Sequence, residues 1–569
     1  MLPLQNPALY SLPDALSQWT IPNVANLRLQ ASADKVFVRE AVSSRQETYG
    51  QFMRHAKALA SHFLHAGVQP EDAVLIFAAN SIAALHAWMA TAWLGAMDVS
   101  VNTGYRGQPL RHVFELAKPK LIVCDAELMP YIAELSADFF GVPHVVVIPE
   151  AREQAAPLDT LQAQHPALRI LDYAQLIASP APDAPPAWPA VRVHSPASVV
   201  FTSGTTGPAK GVVMPHGHVC LLAYTTAQAT HMTAADVFYS AHPLFHIAGK
   251  FMGVFATFMT GGELVLDRKF DAGQWLGRIR SSGATLSIAH GPMIEMIHAQ
   301  PEAHDDADNP LTRLMCCPLP KRRGQEFQSR FNVTGIEMWG MSEVGCPIWT
   351  RPQEKDGLGS CGQVLTDWYH VELVDPQTDF PVPVGEAGEI VVRPKYPWTT
   401  MLGYLGMPQA TLDAWRNLWF HTGDIAIRDA GGNVFYVDRK DDRIRRRSEN
   451  ISSYDIESAT ADFPGVQECA AVGVETEYEN DDDILVYVVP CAQAQIDPAQ
   501  LLAFLARRLP HFMVPRYIEL IDALPRTPTN KVRKKQLKQR GIGGNTWDRK
   551  RAGIQLKTLT RHTRAGKAD

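Results

Sequence analysis

The sequence predicts an α/β fold: a large N-terminal domain of layered α/β subdomains plus a β-rich subdomain, then a small α+β C-terminal domain. Three observations predict it. Short apolar runs such as Ala73-Val-Leu-Ile-Phe-Ala78 alternate with segments of helical periodicity, the pattern of buried parallel strands joined by helices. From 357 to 393 the pattern changes to short strands broken by Gly and Pro. After Arg439 a compact unit of about 100 residues carries its own strands and a helix.

In chain order, residues 48–64 and 81–94 have helical spacing, and 73–78, 121–124 and 145–148 are buried-strand runs. Six prolines between 179 and 196 mark a surface connector. Val371-Glu-Leu-Val374 and Glu389-Ile-Val-Val392 are strands of the β-rich part. Ala470–Val474 and Ile484–Val489 are strands of the C-terminal part, with a helix at 501–508. The acidic run Glu475–Asp483 reads as a solvated loop. The expected domains are 1–438, 439–540 and a basic tail, 541–569. From 531 to 569 there are thirteen Lys/Arg and two Asp/Glu. This stretch reads as a solvated, partly ordered tail, with contact to a polyanion as the alternative.

The 569 residues can bury a large core, and 46% hydrophobic with 20% charged residues is a globular composition. A net charge of −6 offers no general attraction to nucleic acid or anionic membrane. The eight cysteines show no Cys-x-x-Cys spacing, which fits free thiols in a reducing cytosol. Neither a signal peptide nor a transmembrane segment is expected, and the expected location is cytoplasmic. A homodimer is one expected assembly.

The apolar run Ala197–Phe201 feeds Thr202-Ser-Gly-Thr-Thr-Gly-Pro-Ala-Lys210-Gly. Glycines permit close backbone approach, and successive N–H groups in such a turn make an anion nest. The hydroxyls of Thr202, Ser203, Thr205 and Thr206 add donors, and Lys210 adds a positive charge. Gly204 and Gly207 complete a loop suited to a polyphosphate, although an ordinary polar surface loop is the bland alternative. It is not a Walker A loop, because Lys210 follows Gly207 by three residues. In His242-Pro-Leu-Phe-His246, Pro243 argues against a helical zinc pair.

Five further motifs follow: 242–249, Trp339-Gly-Met-Ser-Glu343, Thr422-Gly-Asp424, 438–450 and Pro525-Arg-Thr-Pro-Thr-Asn-Lys531. With the Thr202–Gly211 stretch, their sequence and order resemble the adenylate-forming superfamily, which holds acyl-CoA synthetases, peptide-synthetase adenylation domains and firefly-type luciferases. The resemblance spans residues 30–540. Arg446-Arg-Ser-Glu-Asn-Ile-Ser-Ser453 and Thr546-Trp-Asp-Arg549 are similar to the branch containing carnitine/crotonobetaine-CoA ligases.

This resemblance implies an AMP-forming acyl-CoA ligase that uses ATP, Mg²⁺ and coenzyme A on a small-molecule carboxylate. Trp339 and Gly340 are implied at adenine, Ser342 at a phosphate oxygen and Glu343 as the Mg²⁺ ligand, a hard oxygen donor. Asp424 is implied at the ribose hydroxyls, Arg439 at the ribose–phosphate, and Asp441 as the hinge of a mobile C-terminal domain. His246 is implied at the mouth of the acyl pocket, with a hydrogen-bonded turn histidine as the bland alternative. Ile247, Ala248, Met252, Ala289, His290, Gly291, Cys316, Cys317 and Met341 are implied to line that pocket. Lys531 is the implied catalyst, an ammonium bridging the attacking carboxylate and the α-phosphate. Arg446, Arg447, Ser448 and Glu449 are implied near coenzyme A; Arg443, Arg445, Arg446 and Arg447 read equally as contacts to its phosphates or as a solvated strand edge.

The family pattern is broken in places. Trp339 replaces Tyr, Ser342 replaces Thr, Asn530 replaces Gly, and Cys316-Cys317-Pro318 stands where Gly-Gly-Ala-Pro is common. Ser448 replaces a glycine beside the pantetheine tunnel. That last change supports an alternative, a ligase that delivers the acyl group to a carrier-protein thiol or another acceptor. A non-catalytic acyl-adenylate or nucleotide sensor is a third reading. Retention of Lys210, Glu343, Asp424, Arg439 and Lys531 argues against it.

Overall fold

The structure is a computed structural model. It describes residues 10–43, 45–136, 144–149, 158–166, 168–178, 187–202, 209–317, 319, 324–350, 359–439, 444–446, 449–451, 453–476, 481–492, 494–525, 532 and 534–556. The chain divides into two compact units: 1–103, 114–201 and 211–438 in the first, and 104–113, 202–210 and 439–569 in the second.

Two large sheets build the first unit. One has eight strands, in the order Gly403–Tyr404, Lys210–Pro215, Pro196–Thr202, Met97–Ser100, Ala73–Phe77, Leu121–Asp125, His144–Ile148 and Arg169–Asp172. From Pro196–Thr202 onward its pairings are parallel. The other has nine strands and runs Gln363–Val364, Gly345–Trp349, Thr334–Met341, Arg313–Cys317, Leu286–His290, Val237–Ser240, Glu263–Leu266, Val36–Glu40 and Gln46–Thr48. A third, antiparallel sheet carries Tyr369–Val374, Ala387–Pro394 and Trp419–Arg428. This is the expected β-rich part.

The helix expected at 48–64 spans Tyr49–His65. Thr48 accepts from the Gln51 N–H, and the Gln51 side chain returns to the Thr48 N–H, so two otherwise orphaned amides are satisfied. The helix expected at 81–94 spans Ile82–Trp93 with Ser81 as its cap, and all twelve residues are buried. A helix buried on every side belongs between layers rather than at a surface. Tyr49, Phe52, Trp88 and Phe258 belong to the same continuous core.

In the second unit, Val466–Glu475, Asp482–Pro490, Tyr517–Leu520 and Trp547–Asp548 form one sheet, packed on the helix Pro498–Arg508 through Leu501, Leu502 and Leu505. Two sequence expectations change here. Asp483 is not part of a solvated loop, because it sits in a strand and pairs with Arg516 and Arg446. Residues 541–556 do not form a tail. Trp547 pairs with Ile518, Asp548 binds Arg516, and Thr546 donates to Glu519. The charge bias misled because Trp547 and Asp548 form a strand of the sheet, and Arg540 pairs with Glu519 on the neighbouring strand.

Candidate active site

His290, Cys317 and Met341 stand at the carboxyl ends of three neighbouring parallel strands, with His290 directly opposite Cys317. Ligands of open α/β sheets bind outside such ends. All three are half-buried, as is Ile247, while Ala248 is buried. Strand alternation splits the remaining pocket candidates. Ala289 and Cys316 are fully buried in the cluster around Trp275 and Phe327, whereas Cys317, Ile247 and Met341 pack on the main core. Ala289 and Cys316 therefore face away from the group that includes Cys317. Gly291 begins a helix, and Met252 is buried within the main core.

Trp339 and Asp424 meet. The Trp339 indole Nε1 donates to Asp424 Oδ2 at 3.0 Å, and both residues are about 5% exposed (5% and 6%). Gly340 cannot be replaced: a Cβ there would lie 2.4 Å from the Gly345 carbonyl oxygen and 2.6 Å from Cys346 Sγ. Asp424 is set by its own motif. Gly423 takes a φ of 71°, and the Thr422 hydroxyl accepts from the Asp424 N–H and donates to the Ile390 carbonyl.

Glu343 is buried and accepts from the Tyr404 hydroxyl at 2.9 Å, and its backbone carbonyl accepts from the Met401 N–H. Ser342 beside it is also buried. Tyr404 is fixed because Gly403–Tyr404 pairs antiparallel with Lys210–Pro215, Tyr404 opposite Val212. Leu402 and Leu405 add N–H bonds to the Val213 and Gly211 carbonyls. Gly211 suits this approach, since a Cβ would lie 3.3 Å from the Leu405 Cβ and 2.9 Å from a Val199 methyl. The sequence reading missed Tyr404; a two-residue strand carries no periodicity to reveal it. Thr202 ends the strand before the glycine-rich loop and Lys210 begins the one after it. Ser203, Gly204, Thr205, Thr206 and Gly207 lie outside the described residues.

The segment 242–246 is a turn that enters the π-helical stretch Ala248–Phe255. His242 Nε2 lies 2.6 Å from His290 Nε2, and the His246 ring is 5.9 Å from the His242 ring. Burial, with His290 and His246 nearby, pushes His242 well below the ordinary histidine range. It is neutral, and the His242–His290 bond holds a single proton. This pair was also missed, because 48 residues separate its members.

In the second unit, Arg446 does not suit a coenzyme A phosphate. It is 5% exposed, donates to the Phe512 and Val514 carbonyls, and pairs with Asp483. Its charge is used inside the fold. The strand Glu449–Ile451 pairs with Ile444–Arg446. Asp441, Arg447, Ser448 and Lys531 lie outside the described residues, as do the side chains of Arg439 and Glu449.

Residues 28–405 match the AMP-binding enzyme family, and residues 455–531 match the AMP-binding enzyme C-terminal domain. A feruloyl-CoA synthase of an Amycolatopsis species is 31% identical over 497 residues, covering 87% of this chain and 94% of that protein. A crotonobetaine/carnitine–CoA ligase of Citrobacter koseri is 28% identical over 502 residues, covering 87% and 93%. Among solved structures, a double mutant of the o-succinylbenzoate CoA synthetase of Bacillus subtilis superposes with a TM-score of 0.76 at 21% identity, over 91% of this chain and 98% of that one. An amide bond synthetase of Marinactinospora thermotolerans gives 0.76 at 22% identity, over 91% and 99%. No described helix is long and apolar enough to cross a membrane.

Proposed function

The chain belongs to the AMP-binding enzyme family, and on that footing we propose that it is an ATP-dependent, AMP-forming acyl-CoA ligase. A carboxylate oxygen attacks the α-phosphorus of ATP, giving acyl-adenylate and pyrophosphate. The thiol of coenzyme A then attacks the acyl carbonyl, and AMP leaves. The observation that carries the reading is the Trp339–Asp424 bond in the same unit as the buried, tyrosine-held Glu343.

In this proposal Asp424 accepts the ribose hydroxyls, since a carboxylate has lone pairs beyond the one that Trp339 uses. Trp339 orients it and borders adenine. Thr202, the 203–207 loop and Lys210 hold the phosphates. Glu343 fits Mg²⁺, being a buried hard-oxygen donor already oriented by Tyr404. The ion would neutralise charge on the phosphates. His246 faces the reacting carboxylate, and Lys531 offsets charge at the α-phosphate. Arg439 contacts the ribose–phosphate, and Asp441 is the hinge between domains 1–438 and 439–540. Ile247, Cys317 and Met341 favour an apolar acyl group. A cytoplasmic location and a homodimer complete the proposal.

The test is a carboxylate panel that includes ferulate and crotonobetaine. Pyrophosphate release is followed with and without coenzyme A, and acyl-CoA is measured by mass spectrometry. Acid-dependent release with thioester product is expected. Release without thioester, with product restored by Ser448→Gly, would move the reading to another acceptor. ATP binding with no release for any acid would favour the sensor.

A further inference from the structure

A largely buried polar cluster includes none of the motif residues named above. Glu47 lies on the edge strand Gln46–Thr48 of the nine-stranded sheet, His55 on the helix Tyr49–His65, and His86 on the buried helix Ile82–Trp93. Glu47 Oε1 is 3.1 Å from His55 Nδ1, and Glu47 Oε2 is 2.7 Å from His86 Nε2. One ligand atom from each residue falls within 4.8 Å of the other two. On the far side of His86, Nδ1 lies 2.7 Å from the Tyr173 hydroxyl.

We propose that Glu47, His55 and His86 form a Zn²⁺ site that clamps the sheet edge to the two helices beside it. Zn–N and Zn–O bonds of about 2.0–2.2 Å in a tetrahedron put neighbouring ligand atoms about 3.3–3.5 Å apart. The 3.1 and 2.7 Å spacings run to the two different Glu47 oxygens and would open slightly, while the widest ligand spacing, within 4.8 Å, would close for one carboxylate oxygen and the two imidazoles to share an ion. The donor set, two imidazoles and a carboxylate, suits zinc better than calcium or magnesium, which select oxygen ligands.

The surroundings fit. Histidine must be neutral to bind metal, so His86 would turn an unprotonated Nε2 toward the ion. Its proton then sits on Nδ1 and is donated to the Tyr173 oxygen, the outer-shell bond that orients a metal-bound imidazole. Without metal the same contacts hold with the tautomer reversed: Nε2–H donates to Glu47 and the Tyr173 hydroxyl donates to Nδ1. His55 is 29% exposed, which gives the ion a way in and leaves the fourth position to water. The nearby cation is Arg45, 3.9 Å from Glu47 and 42% exposed, so it can turn outward when a metal binds.

The test uses tag-free full-length protein stripped with chelator. Calorimetric titration with Zn²⁺ should show one tight equivalent and raise the Tm, and Co²⁺ should give the visible bands of a tetrahedral site. His55→Gln keeps a good helix former at a partly exposed position and should fold. It should weaken that equivalent at least about 100-fold, beyond the upper end of outer-shell effects, and should abolish both the Tm rise and the Co²⁺ bands. The chain has 20 histidines, so weak background binding is common to both proteins and cancels in the comparison. Equal Zn²⁺ binding by wild type and variant, or no tight equivalent in wild type, would overturn the proposal.

Discussion

The indole N–H of Trp339 donates to the Asp424 carboxylate across 85 residues of sequence, and both groups are buried. Trp339→Phe keeps an aromatic face and removes the donor together with part of the ring. A hydrogen bond to a charged group contributes about 1.5–3 kcal/mol, so the KM for ATP should rise roughly tenfold or more, with the fold retained. Asp424→Ala should raise it further. Steady-state kinetics at saturating acid measures both. An unchanged KM in Trp339→Phe would remove the bond from the nucleotide site.

Lys531→Ala should abolish pyrophosphate release from ATP and acid, yet leave thioester formation from preformed acyl-adenylate nearly intact. The reason is that the proposed role lies at the α-phosphate in the first step alone. Single-turnover assays of the two half-reactions separate the cases. Equal loss of both in a folded protein would contradict the assignment.

Tyr404→Phe removes the hydroxyl bonded to Glu343. The carboxylate then loses its orientation, and the Mg²⁺ concentration for half-maximal activity should rise several-fold. The Tm should fall only slightly, since one such bond nets about 1 kcal/mol. A large Tm loss with unchanged Mg²⁺ dependence would make Tyr404 a structural residue only.

Burial pushes His216 and His218 down to about 3. The unfolded chain protonates these side chains below about 6.5 and the folded chain does not. Their stabilising effect is therefore full above 6.5 and is lost as pH falls toward 3. Between pH 7 and 5.5 each should cost about 1 kcal/mol. Neither ring nitrogen of His218 has a hydrogen-bond partner among the described residues. His218→Leu should thus flatten the pH dependence of the Tm without lowering stability at pH 7. A steeper slope in the variant would refute this.

Arg446→Ala should destabilise the second unit and leave the KM for coenzyme A nearly unchanged. Two backbone carbonyls lose a donor and Asp483 loses one of its two arginines. The cost is about 1–3 kcal/mol. Limited proteolysis and thioester kinetics read the two effects. A raised KM with normal stability would return Arg446 to the coenzyme A site.

What was legible in the sequence depended on how local the signal was. The helices at Tyr49–His65 and Ile82–Trp93 announce themselves through helical spacing, so their ends fall within a residue or so of the reading. Trp339, Glu343 and Asp424 stood out because each sits in a short motif. Their partners did not. Tyr404 reaches Glu343 through a two-residue strand, and His242 meets His290 only because two parallel strands lie side by side. Ala289 and Cys316 show the same limit in reverse. They neighbour His290 and Cys317 in sequence, yet pleating turns them to the other face. Arg446 reads as one more cation in a charged run until Phe512, Val514 and Asp483 close around it.

The pairing of Gly403–Tyr404 with Lys210–Pro215 bears on how portable this site is. The stretch that follows the glycine-rich loop is held at Gly211 and Val213 by Leu405 and Leu402, and the adjoining Tyr404 holds Glu343. A graft of residues 202–215 into another scaffold would bring the loop's sequence but leave behind both its rail and the carboxylate that the rail positions. Swaps between relatives should keep 202–215, 339–343 and 401–405 together as one cassette, because hydrogen bonds join the last segment to the other two. Recombinants that cross over between these segments should be the inactive ones.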